Sequence, residues 1–379
     1  MIRGSRAFRE GRIPWLSSIR KTPEAMKHNE VMMTVGQARE TARRWVIEEA
    51  SGIPGFCGAY TAGSTNWLPD DADLTTSSDL DIMIVLTDPN QSSRRGKFRY
   101  QEVLLEASYL RNDQFQSSDL VLSDYHLAPS FRTTNILLDP SGHLTKLKAI
   151  VCRDYAKRQW VRQRCVNAEN RVLGHLFSIK EEAPLHDRVI AWLFGAGVTT
   201  HVLLVAGLKN PTVRARYVAA RELLSEYNHL NFHEALLKLS GVARISRGRV
   251  DRHLATLTYI FDSAKKAIKA PFPFASDLSE NARPIVIDGS LELIDRGYHR
   301  EAMFWIAVTH SRCQKVLSND ISLGLPQRFS DNYRDMLGDL GVASTSEIQR
   351  RCAEVERFLP RVREQAERIM ASNPSIEDD

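Results

Sequence analysis

The first part of the chain alternates short apolar runs with polar turns, a pattern typical of β-strands. The clearest run covers residues 80–86, and its length and β-branched residues indicate a buried strand. Residues 102–110 have the same character, and residues 135–144 contain a short apolar run that closes in an Asp-Pro-Ser-Gly turn. The sequence therefore predicts a small mixed sheet within residues 31–150.

From about residue 151 the spacing of apolar residues changes to the helical period, and strand signals become rare. The predicted helical segments cover residues 212–227, 250–269, 291–317 and 344–370. Taken together, the pattern predicts an α+β fold in which a mixed-sheet domain is followed by a helical bundle. The predicted divisions are a flexible basic arm (1–30), the sheet domain (31–150), the helical domain (151–371) and a disordered polar tail (372–379).

Residues 189–208 form a stretch of twenty residues with the length of a membrane span. Thr199, Thr200 and His201 at its centre, three glycines and the lack of a second such segment favour a buried central helix, or a pair of helices, in a soluble domain. We therefore expect no membrane association. The five cysteines are odd in number and have no paired spacing, which fits reduced thiols and a cytoplasmic location.

The formal net charge of +5 is confined to one end of the chain. Residues 1–28 contain seven arginines and lysines and only two glutamates, so this segment accounts for the whole net charge of +5. A protein that binds nucleic acid usually carries a basic stripe along its body. The remaining chain is neutral, and this favours a small-molecule or protein substrate over nucleic acid.

Two carboxylates lie at the start of the clearest strand. Because alternate side chains of a strand point to opposite faces, Asp79 and Asp81 share one face while Leu80 and Ile82 enter the core. Such a pair suits Mg²⁺ that also binds phosphate oxygens. Upstream, Gly63 would let the backbone approach a nucleoside triphosphate closely, and Ser64 and the amides after it would donate to the phosphates.

The pattern Gly63-Ser64, a spacer, then Asp79-Leu80-Asp81-Ile82 resembles the signature of the nucleotidyltransferase superfamily. That superfamily includes DNA polymerase beta and the kanamycin-type antibiotic nucleotidyltransferases. The fourteen-residue spacer is slightly longer than the family usually shows, which indicates an inserted loop. The family takes a third carboxylate from a neighbouring strand, and Glu106, in the middle of the predicted strand 102–110, matches it.

Cations of the second domain are candidates for the phosphate side. Residues 209–217 resemble a helix start, with Asn210 or Thr212 near the cap and Lys209 and Arg214 close by. Cations there oppose the helix dipole unless an anion is bound, which favours a phosphate-binding use. A solvated basic surface is the simpler alternative for each of them.

The resemblance implies transfer of a nucleoside monophosphate, with AMP expected, to a hydroxyl of a small molecule such as an aminoglycoside. It implies two Mg²⁺ ions held by Asp79, Asp81 and Glu106, and pyrophosphate as the product. Antibiotic resistance is one use of this chemistry. Two alternatives stay open: transfer to a protein or RNA acceptor, as in toxin–antitoxin systems, and a non-catalytic nucleotide-binding relative. The sequence also leaves open a homodimer.

Overall fold

The computed structural model describes residues 33–75, 78–89, 95–268, 274–319 and 327–379. The predicted basic arm, residues 1–30, lies outside the described residues. Met33–Asp379 form one compact unit. The predicted domain boundary at residue 150 falls inside a helix, because Leu144, Leu147 and Val151 form one continuous buried face there.

The prediction of a mixed sheet is confirmed. The strands are β1 (Phe56–Ala62), β2 (Leu80–Leu86), β3 (Gly96–Tyr100), β4 (Val103–Arg111) and β5 (Ile136–Leu138). They form a five-stranded sheet in the order β3-β4-β2-β1-β5. β2 and β4 are parallel, whereas β1 pairs with β2 and β5, and β3 with β4, in antiparallel fashion.

Helices make up most of the rest of the described chain, so the α+β class is confirmed. Those around the sheet are α1 (Val35–Glu48), α2 (Ser118–Ser123), α3 (Leu127–Thr133) and α4 (His143–Asp154). They are followed by α5 (Arg158–Phe177), α6 (Leu185–Ala206), α7 (Arg216–Glu226), α8 (Leu230–Leu239), α9 (Arg247–Ala267), α10 (Arg283–Asp295), α11 (His299–Asn319), α12 (Gln327–Leu340) and α13 (Thr345–Ser372).

The two faces of the sheet are covered by different parts of the chain. On one face, Trp45 and the other buried residues of α1 pack against Leu80, Ile82 and Ile84 in one apolar cluster. The opposite face contributes Tyr60 to a larger cluster that extends through the later helices. Since side chains alternate along β2, the carboxylates next to Leu80 and Ile82 lie on the face turned away from α1.

Helix α6 contains the long apolar stretch seen in the sequence. It ends at Ala206, two residues before the predicted end, and Gly207 follows as its C-cap. By length and composition it could cross a membrane, but 83% of its most apolar window is buried inside the protein. The expectation of a buried helix is confirmed, and this burial is consistent with a soluble protein.

The predicted disorder of residues 372–379 is wrong. The backbone N–H of Glu377 donates to the carbonyl of Ala156 at 3.0 Å, and the N–H of Arg158 donates back to the carbonyl of Glu377 at 2.9 Å. Between these contacts and the end of α13, Ile376 is buried. The tail is held because it satisfies backbone groups at the start of α5 and buries one apolar side chain.

Replacing Ile376 with alanine tests this attachment. We expect Ile376→Ala to lower the free energy of unfolding by about 2 kcal/mol, since a buried isoleucine is truncated. Glu377→Ala, whose side chain is exposed, is the matched control and should change it by less than about 0.5 kcal/mol. Chemical denaturation measures both, and equal stability of the two variants would show that the tail does not pack as described.

Candidate metal centre

The turn after β1 brings the backbone against the carboxylate of Asp81. Ala62, the last residue of β1, is the register partner of Asp81, and Gly63 follows with φ 75° and ψ −168°. A β-carbon built on Gly63 would lie 1.7 Å from Oδ2 of Asp81. Only glycine fits here, because it alone tolerates both this backbone conformation and this approach.

Three carboxylates lie close together near the N-terminal ends of the parallel strands β2 and β4. Asp79 comes just before β2, and Asp81 is the register partner of Glu106 on β4. One oxygen from each of the three residues lies within 4.8 Å of the others. The three side chains therefore lie together, as predicted. Leu80 and Ile82 are completely buried on one face of β2, and the alternation of side chains along the strand places Asp79 and Asp81 together on the other face.

The grouped carboxylates repel one another in a partly buried site. Burial, followed by the charges of Asp79 and Glu106, raises the pKa of Asp81 well above its ordinary value. Burial and the charge of Asp79 raise the pKa of Glu106 to about 7, although the neighbouring Lys97 acts against this. A cluster of this kind needs positive charge to stay ionised at neutral pH.

Lys97 on β3 supplies part of that charge, and sequence reasoning missed it. It is the register partner of Glu106, and its ammonium contacts carboxylate oxygens of both Asp79 and Glu106. Its side chain is only 8% exposed. The available signal was the alternation of Phe98 and Tyr100 with polar residues on a short strand.

The predicted strand 102–110 is observed one residue later, as β4. Gln101 and Glu102, with φ values of 45° and 67°, form the tight turn between β3 and β4 instead of entering the strand. This turn places β3, and with it Lys97, beside the acidic cluster. Glu102 therefore lies in the turn, outside the strand that carries Glu106.

The later helices contribute an ion pair to the same region. Nη1 of Arg312, on α11, donates to Oδ2 of Asp277 at 2.7 Å, and both side chains are largely buried. Burial lowers the pKa of Arg312, whereas the charges of Asp277 and Glu106 raise it. The charge of Asp277 also adds to the rise in the pKa of Asp81 and of Glu106, after burial and nearer charges. Arg312 and Asp277 therefore act electrostatically on the acidic cluster from outside the sheet.

Arg214 also lies within electrostatic reach of the cluster. Burial lowers the pKa of its guanidinium, whereas Glu292 and Asp79 raise it. Among the described residues no hydrogen bond or ion pair engages this guanidinium. It lies over Gly289 of α10, where an added β-carbon would be 1.8 Å from Nη1 of Arg214.

The predicted helix start at 209–217 is wrong in its position. Helix α7 begins at Arg216, and its N-cap, Ala215, makes no side-chain capping bond. Residues before it form a loop because their carbonyls are bound elsewhere: Thr212 is hydrogen-bonded to the buried ring of His201, and Val213 accepts from Arg216. Asn210 and Thr212 therefore do not cap the helix.

The other two predicted phosphate-side residues lie at the surface. Nζ of Lys209 is 2.8 Å from Glu226 in an exposed ion pair, which is the simpler reading of this cation. Ser64 is exposed at the start of a short 3₁₀ turn, Ser64–Trp67. This turn is fixed by Asn66, whose Nδ2 donates to the carbonyl of Thr61 at 2.8 Å, so the amides near Gly63 have a defined place.

The donor set fits a hard divalent cation. Mg²⁺ prefers carboxylate oxygens and keeps positions for water or phosphate, and Asp79, Asp81 and Glu106 provide three such side chains within one small volume. No family model matches the chain, and no curated protein shows significant similarity to it. The function of the chain is therefore inferred from the geometry of this cluster and from the motif that forms it.

Proposed function

We propose that this protein is a Mg²⁺-dependent nucleotidyltransferase that transfers a nucleoside monophosphate, AMP in the first instance, to a hydroxyl of a small molecule. The observation that carries the proposal is the convergence of Asp79, Asp81 and Glu106 beside a glycine turn that touches Asp81. This is the combination that the sequence resemblance requires. The small mixed sheet would then be the catalytic part, with the helical part contributing to both substrates.

In the proposed reaction the acceptor hydroxyl attacks the α-phosphorus in line and pyrophosphate leaves. Bound Mg²⁺ would neutralise the phosphate charge and polarise the reacting oxygens. Asp79 and Asp81, at the N-terminal end of β2, would hold the metal ion, and the backbone amides near Gly63 would bind the phosphates. Glu106 either completes the oxygen set or receives the proton of the acceptor hydroxyl.

Arg214 is the best candidate among the described residues for contact with the triphosphate. Its guanidinium has no ion-pair partner among the described residues and lies near Asp79. Arginine binds phosphate oxygens in a bidentate manner. Lys209 has its own partner, Glu226, so we assign it no contact. We therefore assign the phosphate contact to Arg214, in the loop that precedes α7.

Substitution of Arg214 should weaken nucleotide binding specifically. We expect Arg214→Gln to raise the KM for the triphosphate about ten- to a hundredfold, since a charged hydrogen bond contributes about 1.5–3 kcal/mol. Gly289→Ala should act in the same direction, because its new methyl group would displace the guanidinium. Gly248→Ala, in α9, where an added β-carbon meets nothing within 4 Å, is the matched control. An unchanged KM in Arg214→Gln would remove this residue from the site.

A neutral body after the N-terminal segment favours a small acceptor over RNA. The test is pyrophosphate release by the purified protein with Mg²⁺ and each of the four nucleoside triphosphates, with and without an aminoglycoside and lincosamide panel. Release that depends on an added acceptor would support the proposal and identify the acceptor class. Nucleotide label on a protein or RNA instead would favour the macromolecular alternative, and nucleotide binding without release would favour a non-catalytic relative.

We also propose that the enzyme is cytoplasmic. The buried α6 and five free cysteines support a cytoplasmic enzyme, since free thiols persist in reducing compartments. A homodimer is compatible with the proposal but no part of the chemistry depends on it.

A further inference from the structure

Lys97 already occupies part of the space that a second divalent ion would need. Its ammonium is in contact with one oxygen of Asp79 and one oxygen of Glu106 at the same time. The side chain is 8% exposed, and it reaches the carboxylates from β3, where it is paired in register with Glu106. It is therefore a cation fixed by the sheet itself.

Lys97 contacts only two of the six carboxylate oxygens of the cluster, one on Asp79 and one on Glu106. Both oxygens of Asp81 and the second oxygen of Asp79 are free of Lys97, so one divalent ion can bind between these two residues without moving the lysine. An ion that bridges Asp79 and Glu106 would need the oxygens that the ammonium contacts. Two cations cannot share those oxygens, because their mutual repulsion at contact distance in a partly buried site is large.

The cost of moving Lys97 away is also high. Its side chain is largely buried, and removal from its two carboxylates would leave a charged ammonium without a partner.

We propose that the ammonium of Lys97 takes the place of one of the two divalent ions, so that the site binds a single divalent ion, between Asp79 and Asp81. This inference deepens the proposed function and rests on it. Lys97 then acts as a positioning residue: its contacts with Asp79 and Glu106 hold both side chains in place while the one ion binds. The expectation of two Mg²⁺ ions is replaced by one ion and one fixed ammonium.

Counting bound Mn²⁺ tests the inference without any turnover. The full-length protein is titrated with Mn²⁺ alone, and free Mn²⁺ is measured by electron paramagnetic resonance. We expect one ion per chain in the wild type and two in Lys97→Met, which keeps the length of the side chain and removes its charge. Lys97→Arg keeps the charge and should bind one. Lys209→Met removes an equal charge from the exposed pair with Glu226 and should also bind one.

Each other outcome contradicts the inference in a distinct way. Two ions in the wild type would show that Lys97 does not exclude the second ion. One ion in Lys97→Met, with its fold verified by circular dichroism, would show that something else limits the number. If that variant does not fold, Lys97→Gln replaces it, and the wild-type count still decides. Binding of no ion by wild type and variant alike would reject the metal site and with it the proposed function.

Discussion

Asp81→Asn should abolish nucleotidyl transfer while making the metal-free protein more stable. The substitution keeps the shape of the side chain but removes the carboxylate that lies between Gly63 and Glu106. We expect the rate of pyrophosphate release to fall at least about 10³-fold, equivalent to about 4 kcal/mol of transition-state stabilisation.

The gain in stability has a separate cause. Burial and the charges of Asp79 and Glu106 raise the pKa of Asp81, so its ionised form destabilises the folded state. The neutral amide is free of this repulsion, and the melting temperature without Mg²⁺ should rise. Mg²⁺ should then stabilise the wild type, because it binds only the folded cluster, and it should have little effect on the variant.

The control for this prediction is Asp119→Asn, in which an exposed carboxylate of α2 is changed. It should leave both the rate and the response to Mg²⁺ unaltered. An Asp81→Asn protein that turns over within about threefold of the wild type would contradict the assignment of Asp81. A variant that loses activity together with its fold would contradict the predicted gain in stability.

Gly63→Ala is expected to cause the second large effect. The added methyl group would overlap Oδ2 of Asp81, and the backbone conformation at this position, φ 75° and ψ −168°, is essentially restricted to glycine. Either the turn or the carboxylate must move. Because a displacement of about 1 Å at a reacting centre can cost about 10²-fold in rate, we expect at least this loss in pyrophosphate release.

Gly142→Ala is the control for a glycine with positive φ that has open space beside it. Gly142 also has a positive φ, 69°, but an added β-carbon there meets nothing within 4 Å. It should cost only the conformational term, about 1–2 kcal/mol of stability, with the rate unchanged. Denaturant unfolding and steady-state rates of both variants give the comparison. A Gly63→Ala enzyme with the same rate as Gly142→Ala would show that the close approach to Asp81 is unimportant.

The parts of the site that were predictable follow from local periodicity. Alternation along residues 79–86 was sufficient to place Asp79 and Asp81 on one face, because a strand has no other choice once Leu80 and Ile82 are buried. Glu106 was predicted because the resemblance implies a third carboxylate on a neighbouring strand, and the observed parallel pairing of β2 with β4 brings it to Asp81. Asp79 and Asp81 needed only the local pattern, whereas Glu106 needed the resemblance.

The parts that were not predictable depend on contacts between distant segments. Lys97 lies on a short strand with few apolar residues, and its function in the cluster depends on a turn at Gln101 and Glu102 that no glycine or asparagine marks. Arg214 was proposed from a helix start that lies further along the chain, at Arg216, yet the loop before that helix brings Arg214 near Asp79. Ile376 looked like part of a polar tail because its binding surface at the start of α5 lies far away in sequence.

ATP labelled at the α- or the γ-phosphate, incubated with Mg²⁺ and an acceptor that supports pyrophosphate release, distinguishes nucleotidyl transfer from phosphoryl transfer and from hydrolysis. We expect the α-label to become bound to the acceptor and the γ-label to appear in pyrophosphate, and we expect Asp81→Asn to do neither. Transfer of the γ-label to the acceptor, or its release as free phosphate, would contradict nucleotidyl transfer by this site.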